Sequence, residues 1–203
     1  AMADKPLRIL FVGYGGGHIT FLTRLVKGLA NAGAQVTVTS PKRTNPSLLK
    51  HPKIHLLKTP PWEGNYLLRL LRLVQTFITR FSFKRLHWIR TQMASANSTK
   101  TRIRLLNRYL PFMKDDWDVI YFPWNSAAIG YEGLFDLGMP VVISCRGSQV
   151  NIRPQLPGQE AFVDGLKRTL SKAALVHCVS EDIQDEAAKY GLDPHNSVII
   201  RPA

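Results

Sequence analysis

The 203-residue sequence predicts an α/β fold with a parallel sheet covered by helices on both faces. Three observations carry the prediction. Short apolar runs end in Gly or Pro, as buried parallel strands do; amphipathic stretches with helical spacing alternate with them; the connections are short.

Taken in order, Leu7–Val12 is a largely apolar run closed by Gly13, which predicts the first strand. Ile19 to Ala32 has helical spacing, with Leu22, Leu25, Val26 and Leu29 on one face and Gly33 as the stop. Gln35–Thr39 is the second strand, bounded by Ser40-Pro41, and Ile54–Leu57 a third, closed by Pro60-Pro61. After a basic segment the alternation resumes: a strand at Asp118–Phe122, a helix at Ser126–Leu137 stopped by Gly138, and a strand at Val141–Cys145. A helix over about 159–172 follows, then a strand at Ala174–Val179. Ser180-Glu181-Asp182 caps a helix ending near Gly191, and Ser197–Ile200 is the last strand. The expectation is one domain over 1–203, with a basic helical insert at about 62–114.

Charge is divided sharply along the chain. Residues 62–114 hold eleven Lys/Arg and one acid, Glu63, so they carry +10 of the total +13. The remainder is nearly balanced, which describes a neutral body that meets an anionic surface on one face. The 45% hydrophobic content argues against bulk disorder. No apolar stretch reaches the 18 or more residues that cross a bilayer, and no cleavable signal precedes Leu7. Ala1-Met2 reads as a cloning remnant, and the stop after Ile199-Ile200-Arg201-Pro202-Ala203 as the edge of an excised domain. Cys145 and Cys178 each sit in an apolar β-like run and read as buried free thiols of a reduced cytoplasmic protein.

Gly13-Tyr14-Gly15-Gly16-Gly17-His18 lies between the first strand and the first helix. Such glycines let backbone N–H groups approach a ligand, and the following helix start offers donors to a phosphate. A dinucleotide fingerprint wants a third Gly where His18 stands, and an acid where the chain has Ser40-Pro41-Lys42; both departures weigh against NAD. With no Gly-Lys-Ser/Thr, the loop is not that of a nucleotide hydrolase either.

Together these pieces resemble the N-terminal domain of a glycosyltransferase family 4 enzyme, whose GT-B architecture consists of two facing Rossmann-like domains. The resemblance rests on the Gly15-Gly16-Gly17 loop and the helix end Leu29-Ala-Asn-Ala-Gly-Ala-Gln-Val36. It continues through Gly138-Met-Pro-Val-Val-Ile-Ser-Cys-Arg-Gly-Ser-Gln149, Ala173-Ala-Leu-Val-His-Cys-Val-Ser-Glu181 and Val198-Ile-Ile-Arg-Pro-Ala203. It implies transfer of a sugar from a nucleotide-sugar donor to an acceptor, a glycan or lipid-linked cell-envelope precursor, with retention of configuration and no metal or other cofactor. It also implies that the acceptor binds this domain while the nucleotide binds mainly a second one, so these residues alone are expected to be inactive. Gly15, Gly16 and Gly17 match the loop facing the donor phosphates.

In the family's His-Gly-x-Asp loop, Arg146 replaces the histidine and Gln149 the acid. A guanidinium stays protonated, so Arg146 is expected to bind phosphate or steady charge on the leaving group, not to move protons. His18 is the other catalytic candidate. Trp124, Asn125, Ser148, Asn151 and Arg153 follow strand ends, on the sheet edge where ligands bind in such folds, and are the acceptor-binding candidates. His51, His55, His87, His177 and His195 show no ligand spacing and read as structural.

Set on one helical wheel, residues 66–90 place Arg69, Arg72, Arg80, Lys84 and Arg90 within about 120° of one another. Leu67, Leu70, Leu71, Val74, Phe77, Ile78, Phe81, Trp88 and Ile89 fall opposite, and Arg85 is the exception. Two readings follow: a helix packed by its apolar arc with a solvated basic face, or an interfacial helix whose arginines meet anionic lipid at the inner face of the membrane. The alternatives to the transferase are a nucleotide-sugar epimerase of the same architecture and a non-enzymatic nucleic-acid binder. The latter is disfavoured because the aromatics are not interleaved with the basic residues.

Overall fold

A computed structural model describes residues 5–13, 20–40, 46–59 and 66–201, the side chains of 66–69 aside. The strands are β1 (Arg8–Phe11), β2 (Gln35–Ser40), β3 (Ile54–Lys58), β4 (Val119–Phe122), β5 (Val141–Cys145), β6 (Leu175–Cys178) and β7 (Ser197–Ile199). Their order in the sheet is β3-β2-β1-β4-β5-β6-β7. Every pair whose register is defined runs parallel, for example Ile9 opposite Val119 and Ser144 opposite His177. The predicted doubly wound α/β class is therefore the observed one. All seven strands fall within a residue or two of the apolar runs that predict them.

The chain forms two compact units, Ala1–Arg8 with Tyr14–Trp117, and Ile9–Gly13 with Asp118–Ala203. In the first, α1 (Thr20–Asn31) and the short α2 (Pro46–Leu49) accompany β2 and β3. Leu22, Val26, Val36, Leu48 and Leu57 are buried there. The basic segment belongs to this unit and departs from the single wheel set out above. It is α3 (Tyr66–Arg80), a one-turn 3₁₀ segment at Phe83–Arg85, α4 (Leu86–Ala94) and α5 (Thr99–Tyr109). The break comes at Ser82, whose backbone is extended (φ −144°, ψ 131°), so residues beyond 80 leave the phase of α3. Ser98 caps α5 by accepting a hydrogen bond from the Thr101 amide at 3.2 Å.

In the second unit β4–β7 are joined through α6 (Asn125–Gly130), α7 (Ser148–Asn151), α8 (Glu160–Leu170) and α9 (Glu181–Ala188). Leu10, Phe11, Ile120, Phe122, Ile143 and Val176 form its core. The helix expected over Ser126–Leu137 is shorter: α6 ends at Gly130 and a 3₁₀ turn, Glu132–Leu137, completes the connection. Two glycines are dictated by space. Gly13 has φ +95°, and a β-carbon there would stand 2.8 Å from that of Ala127. At Gly165, on α8, a β-carbon would lie 2.6 Å from a methyl of Ile129 on α6.

Candidate functional site at the strand ends of the second unit

The carboxyl ends of β4, β5 and β6 bring a polar cluster together, where ligands bind in open parallel sheets. Tyr121 comes from β4, Ser144 from β5, His177 from β6 and Arg146 from the loop leaving β5. The bonds define the donors. His177 Nε2 lies 3.0 Å from the carbonyl oxygen of Ile200, which only accepts, so Nε2 carries the proton. Nδ1 is then the acceptor, and the Ser144 hydroxyl donates to it at 3.0 Å. Arg146 Nε in turn donates to Ser144 Oγ at 3.1 Å. A neutral imidazole at one end thus orients a permanent cation at the other.

Electrostatics agree with that assignment. Burial holds His177 below its usual pKa, and the nearby Arg146 charge adds to this against the opposing pull of the Ile200 carbonyl. Burial pushes the Tyr121 phenol up, while hydrogen bonding to Ser144 and the Arg146 charge pull the other way. The aromatic face of Tyr121 stacks on Phe11, centroids 5.2 Å apart. On the next positions of the same strands, Cys145 and Cys178 face each other as buried free thiols. The hydrogen bond with Cys178, and burial after it, push the Cys145 thiol up.

The acceptor-binding candidates separate into two kinds. Asn125 is fully buried: its Nδ2 donates to the Gln149 carbonyl at 3.2 Å, and its Oδ1 has no partner among the described residues. Gln149 Oε1 accepts from the Ser126 amide at 3.3 Å, so the side chain standing at the family's acid position secures the start of α6. Trp124 is half-buried just before that helix. Ser148, Asn151 and Arg153 are exposed along α7 and the turn that follows. Arg153 is engaged locally, with Nε on Gln159 Oε1 at 3.0 Å and its guanidinium 3.9 Å from the centroid of Phe162. His18, Gly15, Gly16 and Gly17 lie outside the described residues, as does the side chain of Arg69.

Tyr121, Ser144 and His177 are the residues that sequence reasoning missed. Ser144 and His177 each precede a buried cysteine at a strand end, a polar–apolar alternation that puts both on one face. Only the strand pairing makes them partners. Among the described residues no group of three or more His, Cys, Asp or Glu is placed to hold a metal ion.

Of the basic residues assigned to a membrane face, Arg72, Lys84 and Arg90 are exposed. Arg80 instead pairs with Asp115, and Lys84 with Asp116 at 2.6 Å. Arg85 is buried: it donates to the Phe112 carbonyl, pairs with Asp116 at 2.8 Å and lies 5.7 Å from the centroid of Trp117.

The solved structures that resemble this chain share its fold at low identity. Anabaena Alr3699/HepE, solved with UDP-glucose, superposes with a TM-score of 0.54 at 15% identity, covering 96% of this chain and 43% of that one. Arabidopsis thaliana UGT89C1 with UDP-L-rhamnose gives 0.54 at 15% identity, covering 98% and 53%. The same protein with quercetin gives 0.52 at 15%, covering 98% and 50%. The chain thus spans about half the length of these structures. No curated protein sequence matches it. The glycosyl transferase 4-like domain family matches residues 16–203, nearly the whole chain. Fold and family match agree: the chain belongs to the glycosyl transferase 4-like domain family, with the fold of the N-terminal half of a GT-B glycosyltransferase.

Proposed function

We propose that this chain is the acceptor-side half of a glycosyltransferase that moves a sugar from a nucleotide-sugar donor to a lipid-linked or cell-envelope glycan acceptor. The observation that carries the reading is the family match over residues 16–203, joined to an arginine held by Ser144 at the edge of β5. Transfer proceeds with retention of configuration and without a metal ion. The leaving group is then a nucleoside diphosphate, whose growing negative charge needs a fixed positive partner. Arg146 suits that role because it cannot lose its proton, and Ser144 and His177 hold it in place before substrate arrives. Ser148 and Asn151, exposed on α7 just after Arg146, and Trp124 before α6 contact the acceptor. The loop of Gly15, Gly16 and Gly17 with His18 meets the donor phosphates and sugar.

Catalysis requires a second, nucleotide-binding domain, a reading supported by neighbours about twice as long as this chain. Among the described residues no helix is long and apolar enough to cross a membrane. The basic segment over residues 62–114 is what supports a cytoplasmic protein peripheral to the inner leaflet. The test measures release of nucleoside diphosphate and labelled product from nucleotide sugars with a lipid-linked acceptor. The 203 residues alone should give no turnover, and a longer chain containing the second domain should give it. Robust transfer by the 203 residues would remove the two-domain reading.

A further inference from the structure

The apolar arc of α3 faces outward. Leu70, Leu71, Val74, Phe77 and Ile78 recur at helical spacing within an arc of about 120° at 100° per residue. All five are exposed, Leu71 at 58% and Ile78 at 76%. The other side of the helix, with Leu73, Thr76 and Arg80 half-buried, is the side through which α3 meets the Leu110–Phe112 turn, and there Arg80 pairs with Asp115. The packed side is therefore the one that carries an arginine, and the greasy side is bare. At the end of the arc an aromatic ladder continues it: Phe77 stacks on Phe81, and Phe81 meets Phe83 edge-on at 5.1 Å. Phe83 itself is 80% exposed. Contiguous exposed apolar surface of this kind marks an interaction site.

We propose that α3 and Phe83 insert shallowly into an anionic phospholipid bilayer, with α3 lying in the membrane plane. Charge selects this occupant. From Tyr66 to Lys114 there are eleven Lys/Arg and no acidic residue, and Asp115 and Asp116 just beyond pair with three of them, Arg80, Lys84 and Arg85, so the segment stays strongly positive. A second copy of the chain would bring the same positive charge to the contact, whereas an anionic lipid surface attracts it, by about 1 kcal/mol per basic residue near the surface. Length fits as well: 15 residues at about 1.5 Å each span roughly 22 Å, enough to lie in the headgroup boundary and too short to cross the hydrocarbon. Exposed Arg72, Arg90, Lys100, Arg102 and Arg104 supply the attraction, and the apolar arc supplies the hold. This deepens the peripheral placement proposed above and revises its contact residues from the arginine face to the apolar one. It does not need the sugar chemistry.

The experiment is co-sedimentation of the protein with vesicles containing phosphatidylglycerol, with phosphatidylcholine vesicles as comparison and no donor or acceptor present. Binding should favour the anionic vesicles and persist in part at high salt, where purely electrostatic adsorption fades. Ile78→Glu and Leu71→Glu should each weaken it about tenfold or more, Ile78→Leu should leave it intact, and all three should keep the wild-type melting temperature because the sites are exposed. A Phe83→Trp reporter should shift its emission to the blue on the anionic vesicles. Unchanged binding by Ile78→Glu overturns the proposal, as does binding abolished at high salt and sensitive only to Arg72 and Arg90. A dimer dissolved by Ile78→Glu in a protein that ignores vesicles, or a blue shift produced only by an acidic protein, does so equally. Because no sugar is transferred in this assay, its failure and that of the transferase reading are separable.

Discussion

In the second unit Leu10, Phe11, Ile120, Phe122, Ile143 and Val176 are buried around the sheet, and the arginine of interest sits at a strand end, steered by a hydroxyl. In the basic segment of the first unit the placement is reversed: Arg85 is buried and Leu71, Ile78 and Phe83 stand in solvent. The first pattern is what a self-sufficient α/β core produces. The second costs free energy in water unless something covers the apolar arc, and it burdens the fold with an arginine that must be fully paired. The contrast separates a core that buries its apolar side chains around the sheet from a helix that leaves an apolar arc exposed.

The comparison is most readily broken at Arg85. Burial lowers its pKa against the opposing pull of Asp116, so the buried cation relies on that partner and on the Phe112 carbonyl to replace its lost hydration. Arg85→Ala should cost about 3 kcal/mol in urea unfolding, because it strands the Phe112 carbonyl and leaves a void against Trp117. A loss below about 0.5 kcal/mol, the range of ordinary surface substitutions, would mean that the segment does not depend on its internal cation. Arg146 comes next. In a protein competent for transfer, Arg146→Gln should lower kcat/KM by roughly 10²-fold, and Arg146→Lys should recover only part, since an ammonium keeps the charge but loses the guanidinium geometry. Ser144→Ala should show a smaller loss in the same direction; an unaffected Arg146→Gln enzyme would remove that residue from the reaction.

The smallest effect is the pH dependence from His177. Its folded pKa lies below the 6.5 of the free side chain, so the unfolded chain takes up a proton that the fold resists. Stability should therefore fall as pH drops from 6.5 towards the lowered folded value, and level off below it. His177→Gln should flatten that limb of a melting-temperature profile, and a limb unaltered by the substitution would assign it elsewhere.

The strands were legible because each is an apolar run closed by Gly, Pro or a capping serine, a signal contained in the run itself. Ser180 illustrates it, accepting from the Ile183 amide at 3.3 Å to start α9. The segment over residues 66–90 was not, because one helical wheel assumes one helix, and nothing about Phe81-Ser82 announces the extended residue that resets the phase. Arg85, the exception on that wheel, was the trace of the break. The direction of the apolar arc was equally hidden, since periodicity shows that two faces differ without showing which is covered. In the site, Arg146 was found through the motif it departs from. Ser144 and His177 were not, because they are 33 residues apart and meet only through strand register.

Ile129 and Gly165 illustrate how the second unit limits its own evolution. With a methyl of one occupying the place where the other would carry its first side-chain atom, the two sites are sterically coupled. A lineage can enlarge position 165 only after trimming position 129, so the order in which such changes accumulate is restricted by geometry before any selection on catalysis applies.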